Sequence, residues 1–155
     1  MSFIYIYNVS CETYMKKFTS NSQKIGQLGE DIACKHLISK GFSVLERNYT
    51  KKWGEIDIIS EKEGKIYFIE VKSVSRPLVN VGGQACDVTR ETNPFISRPE
   101  ENMHPWKMKR LSRTIQTYLI HKRIGNTPWQ FDLLLVYIDL KERKARVRVM
   151  ENIIL

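Results

Sequence analysis

One stretch limits what this chain can fold into. It runs Gly54-Glu55-Ile56-Asp57-Ile58-Ile59, breaks at Glu61-Lys62-Glu63-Gly64, and resumes as Lys65-Ile66-Tyr67-Phe68-Ile69-Glu70-Val71-Lys72. Both runs are rich in β-branched and aromatic residues, and a polar break ending in Gly reads as the turn of a β-hairpin. Charge is placed inside it. Strand side chains alternate faces, so Glu70 and Lys72 share a face with Ile66 and Phe68, while Asp57 stands among isoleucines on the neighbouring strand. Buried charges are unfavourable unless paired or bound to a metal. The hairpin therefore carries either a salt-bridge knot or an active site.

The elements around it follow from periodicity and punctuation. Ser20-Asn21-Ser22 offers N-caps for a helix to about Ser39, with Gly41 as its stop. Ile25, Leu28, Ile32 and His36 recur at helical spacing and predict its buried stripe. Glu30 lies on the adjoining flank, bordering the core, and Gly26 and Gly29 would let another segment approach closely. A strand is expected over Phe42–Tyr49. Pro105 suits the first turn of a second helix ending near Lys122, with Met108, Leu111, Ile115, Tyr118 and Leu119 as its stripe. Strands are expected over Trp129–Leu140 and Ala145–Met150. Residues 1–20 read as an N-terminal extension, in which Phe3–Tyr7 could form an added edge strand and Met15 offers a second plausible start. Residues 21–155 read as a single domain with a long irregular stretch at 74–104. The class is α/β: a central mixed sheet flanked by helices.

The chain has 155 residues and a formal charge of +8, which favours a polyanionic partner, nucleic acid first. Its three cysteines are odd in number and scattered, which indicates neither a zinc site nor a disulfide framework and suits a reducing cytoplasm. No run is long enough for a bilayer-spanning helix, so no membrane is expected.

Asp57, Glu70 and Lys72 are the parts that metal-assisted phosphodiester cleavage needs. Two carboxylates hold Mg²⁺ (or Mn²⁺), the Val71 carbonyl can add a ligand, and a Lys can orient the attacking water or stabilise charge on the phosphate. This set resembles the Asp…(Asp/Glu)-x-Lys signature of restriction-endonuclease-like nucleases. More closely, Gly26-Gln27-Leu28-Gly29-Glu30, Gly41-Phe42, Asn48-Tyr49, Gly54–Ile59, Phe68–Lys72, Pro105-Trp106-Lys107 and Phe131-Asp132-Leu133 are similar in order to the YraN-like family of small bacterial proteins. Those proteins are related in fold to Holliday-junction resolvases. The resemblance implies a restriction-endonuclease-like core and a metal site at Asp57, Glu70 and Val71. It implies catalytic roles for Glu30, Asp57, Glu70 and Lys72, and a basic residue at Lys107. The link at 74–104 is longer than the family's, and Gln130 stands where the family commonly has Arg.

Three readings follow. The first is a Mg²⁺-dependent endonuclease acting on DNA rather than RNA, on structured or branched substrates. In it Lys107, Lys109, Arg110 and Arg113 receive the backbone, and a homodimer would suit symmetric cleavage. The second is a non-catalytic nucleic-acid-binding module that keeps the fold. The third, a purely structural interaction protein, requires the charges to be a surface network. Taken singly, several residues have plainer roles. His36 reads as a core histidine, Asp132 as a hydrogen-bond partner inside the sheet, Trp53 as packing at the hairpin's entrance, and Arg146 and Arg148 as exposed strand residues.

Overall fold

The computed structural model describes residues 3–6, 20–78 and 105–155. Within them the order is β1 (Phe3–Ile6), α1 (Asn21–Ser39), β2 (Ser43–Lys51), β3 (Gly54–Lys62), β4 (Lys65–Ser75), α2 (Pro105–His121), β5 (Trp129–Asp139) and β6 (Lys144–Met150). Ser20 opens α1 with a capping box: its hydroxyl accepts the Gln23 N–H and the Gln23 side chain takes the Ser20 N–H. Gly41, with φ of 82°, closes it. The hairpin turn is Glu63-Gly64, both left-handed, as a two-residue loop between right-twisting strands requires.

The strands form one sheet in the order β1-β6-β5-β4-β3-β2. The β4–β5 pair is parallel and all others are antiparallel, so α2 lies on the crossover that a parallel pair demands. This is the expected α/β arrangement, a central mixed sheet flanked by helices. On one face Ile32, Ala33 and Leu37 of α1 pack with Ile58, Ile69, Val71, Leu134 and Val136. On the other, Leu111, Ile115 and Tyr118 of α2 pack with Tyr49, Ile56, Ile59, Phe68 and Phe131. Full burial of each such side chain is worth roughly 1.5–3 kcal/mol, enough for these few to anchor α2. Gly29 allows α1 its close approach: a Cβ there would lie 1.7 Å from Ser73 Oγ, whereas Gly26 faces open space.

Two expectations change. The strand carrying Glu70 continues to Ser75, because β5 pairs with it as far as Ile138. The remainder of the stretch at 74–104, and of the extension at 1–20 apart from β1, Ser20 and residues 76–78, lies outside the described residues. Arg146 is buried, not exposed. The reason is that β6 lies inside the sheet, between β1 and β5, and is covered on both faces at Ala145–Val147. Arg148, one step on, is exposed as expected. His36 is buried and its pKa is lowered by burial and then by Lys40, in keeping with a core histidine. Asp132 is buried and accepts the Asn152 N–H and the Gln130 amide.

Candidate active site

β3 and β4 pair from Lys62 opposite Lys65 to Ile58 opposite Ile69, and there the ladder ends. Beyond it Asp57 stands in for a ladder partner, its Oδ2 accepting the Val71 N–H at 2.7 Å. A residue's N–H and C=O leave an extended strand on the same side. The Val71 carbonyl is therefore directed into the same gap. The two strands thus form a fork with an acid on one prong and a carbonyl on the other.

Glu70 lies beside this gap, buried on the α2 side. Its Oε1 accepts from Lys72 Nζ at 2.7 Å and also from the Lys107 ammonium in the first turn of α2. Among the described residues, Glu70 Oε2 and Asp57 Oδ1 take no hydrogen bond. Each acid thus keeps one oxygen for a further ligand. Burial alone would raise the Glu70 pKa, but the Lys72 charge and the two ammonium bonds outweigh it and hold Glu70 below its ordinary value. Asp57 takes no ammonium hydrogen bond and feels the Lys72 charge only weakly. Burial first, then the charge of Glu70, and more weakly that of Glu30, push it up to about 7 against the Val71 bond and the Lys72 charge. Burial acts to lower Lys72, yet Glu70 more than compensates and raises it. Lys72 is accordingly a firmly held cation, better suited to a phosphate oxygen than to taking a proton from water.

Glu30 lies near the fork on the α1 side, where its charge acts weakly on Asp57. Its Oε2 accepts from Asn48 Nδ2 at 3.0 Å, with Arg47 3.6 Å away and committed mainly to Asp31 at 2.7 Å. Burial raises the Glu30 pKa; Arg47 opposes this, and Glu55 and Asp31 add to it. Of the four residues expected to be catalytic, Asp57, Glu70 and Lys72 lie together at the fork, while Glu30 lies on the α1 side, close enough for its charge to act on Asp57.

The basic residues of α2 divide. Lys107, expected against nucleic acid, pairs with Glu70. Lys109 is exposed. Arg110 donates to the Trp53 carbonyl, and Arg113 lies over the Trp53 ring at 5.1 Å, with Lys52 over it at 4.3 Å. Trp53 therefore gathers cations at the β2–β3 turn instead of offering a bare ring. Asn48 is a site neighbour that the sequence motif includes without assigning it a role; the available signal is an Asn, tolerant of left-handed backbone, inside a strand pattern.

Among the described residues, no three or more His, Cys, Asp or Glu side chains gather as a metal cluster. The fork offers a smaller set, two carboxylate oxygens and a carbonyl, which suits a hard cation that keeps several waters. A half-buried Asp with one carboxylate oxygen free of hydrogen bonds is the observation in favour of that fit.

Residues 29–136 match the model of a family described as uncharacterised protein family UPF0102. A UPF0102 protein of Alkaliphilus oremlandii is 33% identical over 131 residues, covering 84% of this chain and 97% of that one. One from Clostridioides difficile is 36% identical over 118 residues, covering 76% and 89%. One from Campylobacter lari is 36% identical over 128 residues, covering 83% and 91%. Among solved structures, Pyrococcus furiosus SfsA in complex with Ca²⁺ aligns over 85% of this chain and 64% of that one, at 14% identity and a TM-score of 0.34. At that score no residue is carried across. Among the described residues no helix is long and apolar enough to cross a membrane.

Proposed function

The chain belongs to uncharacterised protein family UPF0102, and because that description carries no reaction we propose one from the fork: divalent-metal-dependent hydrolysis of phosphodiester bonds in DNA, structured or branched. One observation carries the reading. Asp57 is held at about 7 by burial and neighbouring acids, beside a Glu70 oxygen and a carbonyl that face the same gap. Two adjacent acids that each keep one oxygen free of hydrogen bonds suit a cation between them.

Asp57, Glu70 and the Val71 carbonyl would hold Mg²⁺ or Mn²⁺, which supplies Lewis-acid polarisation of the phosphate and a more acidic water. The chain's own groups do the rest. Lys72, kept protonated, neutralises charge on the scissile phosphate as water adds to phosphorus and one P–O ester bond breaks. Glu30 orients that water from the α1 side. Lys109, Arg110 and Arg113 receive the flanking backbone, and Lys107 sits between that surface and Glu70. The setting is a reducing cytoplasm, consistent with Cys34 as a buried free thiol.

A second reading, a nucleic-acid-binding module without catalysis, has one observation in its favour: Glu70 is already neutralised by two lysines. Nicking of forked and four-way DNA with Mg²⁺ and Mn²⁺ separates them. The native chain is expected to cut, with Asp57→Ala and Lys72→Ala each slower by about 10²-fold or more. Cleavage that survives both changes would belong to a contaminant. Tight, salt-sensitive binding without cleavage in either metal would establish the module.

A further inference from the structure

We infer that Asn48 is a positioning residue with two separable duties: its left-handed backbone turns Asp57 into the fork, and its side-chain amide aims Glu30 at the same gap. The second duty rests on the nuclease reading for its consequence; the first rests on the sheet alone.

The sheet switches faces at this point. On β2, a regular strand would send Arg47 and Asn48 to opposite sides. Both instead reach α1, Arg47 to Asp31 at 2.7 Å and Asn48 to Glu30 at 3.0 Å. Tyr49 then meets Tyr118 of α2 edge-on, with centroids 5.0 Å apart. β3 undergoes the same switch opposite. Ile58 packs on the α1 side, and alternation would put Ile56 there too, yet Ile56 packs on the α2 side. The paired residues Arg47–Ile58 and Tyr49–Ile56 bracket Asn48 and Asp57, which are not themselves paired. Asp57 is therefore caught mid-turn. Its carboxylate lies along the sheet towards β4, where the Val71 N–H is, and not on the face that alternation would assign.

The backbone at Asn48 makes this possible, with φ of 53°. Among the described residues, Glu63, Arg123, Arg143 and Asn152 share that conformation, but they lie in turns or beyond strand and helix ends; Asn48 alone is inside a strand. Left-handed backbone disfavours most side chains by roughly 1–2 kcal/mol, with Gly and Asn the usual exceptions. Gly has no amide to donate, and Asp would set a second carboxylate against Glu30. Asn alone answers both requirements.

Two substitutions in the full chain separate the duties. Asn48→Val opposes the left-handed backbone, and Asn48→Ala is the milder form if Val does not fold. Asn48→Gly keeps the backbone and deletes the amide. The first readout is hydrogen exchange at the Val71 amide, which needs neither metal nor substrate. Val (or Ala) is expected to speed it about tenfold relative to the Ile69 amide, and Gly to leave it within about threefold. Unchanged exchange in the Val or Ala variant overturns the backbone duty. The second readout is nicking of forked DNA. Asn48→Gly is expected to slow it about 10–100-fold, but by less than about twofold in a Glu30→Gln background, because the two changes remove one interaction. A wild-type rate in Asn48→Gly, or losses that multiply, overturns the amide duty. Should the native chain cut nothing with Mg²⁺ or Mn²⁺, the nuclease reading fails and the amide duty with it, while Val71 exchange still decides the backbone duty.

Discussion

Asp57 and Asp139 are both strand acids, and the fold treats them in opposite ways. Asp139 ends β5 and accepts three backbone N–H groups, from Leu78, Lys141 and Glu142, at 2.8–3.1 Å. Those bonds, Glu142's first, hold its pKa below the ordinary value. Asp57 accepts one, has acids for neighbours, and is pushed up to about 7. Asp139 closes a turn; its bonds are complete within the chain. Asp57 is left incomplete, and the missing partner is positive. Satisfaction, more than burial, separates a structural acid from a site acid.

The strongest way to break this contrast is to neutralise each acid in place. Asp57→Asn keeps an oxygen for the Val71 N–H and removes the charge. Nicking is expected to fall by about 10³-fold, while stability rises. In the native chain the folded state holds the Asp57 proton up to about 7, whereas the unfolded chain releases it near 3.9. Between those values the folded state binds more protons, so native stability drops as pH rises through the window and the full penalty applies above it. Asp57→Asn does not titrate. Its gain should reach about 2 kcal/mol at pH 8, discounted for the water that reaches a half-buried group, and vanish near pH 4. Urea titrations at the two pH values check this. Asp139→Asn should behave with the opposite sign. Its lowered pKa favours the folded state above about pH 4, so the substitution should destabilise at pH 8 and matter less in acid. If both variants move stability the same way at pH 8, the distinction between the two acids is wrong.

Much of the fold, and Asp57 within it, is legible in the sequence alone, whereas Asp139 is not singled out there. The Ser20 and Gly41 boundaries of α1, the Pro105 start of α2 and the Glu63-Gly64 turn are local signals, and each element follows from its own few residues. Asp57, Glu70 and Lys72 stood out because charge interrupts an apolar strand pattern. What escaped depends on distant partners. Nothing near Phe3 says that it will pair beside Val147, so β6 looked like a strand with an open face and Arg146 looked exposed. Lys107 read as one of four cations on a helix, and only tertiary placement turns its ammonium to Glu70. The face switch at Asn48 is hidden for another reason: strand periodicity assumes unbroken alternation, and one left-handed residue inverts every face after it.

A smaller effect tests whether charge balance or hydrogen-bond count controls each acid. Lys107 is one of two cations on Glu70, whose negative charge helps to raise Asp57. Lys107→Met leaves Glu70 to Lys72 alone, so Asp57 should meet a less screened neighbour and bind its proton more tightly. The fall in stability from pH 5 to pH 8 should steepen by up to about 1 kcal/mol, the range of a partly exposed ion pair. Lys144 is the counterpart near Asp139, where its charge is a weak influence and three N–H groups already hold the carboxylate. Lys144→Met should leave the same pH profile unchanged within error. Equal slopes in the two variants would mean that Asp57 answers to its burial alone, and that the lysines on Glu70 are a surface pair with no hold on the fork.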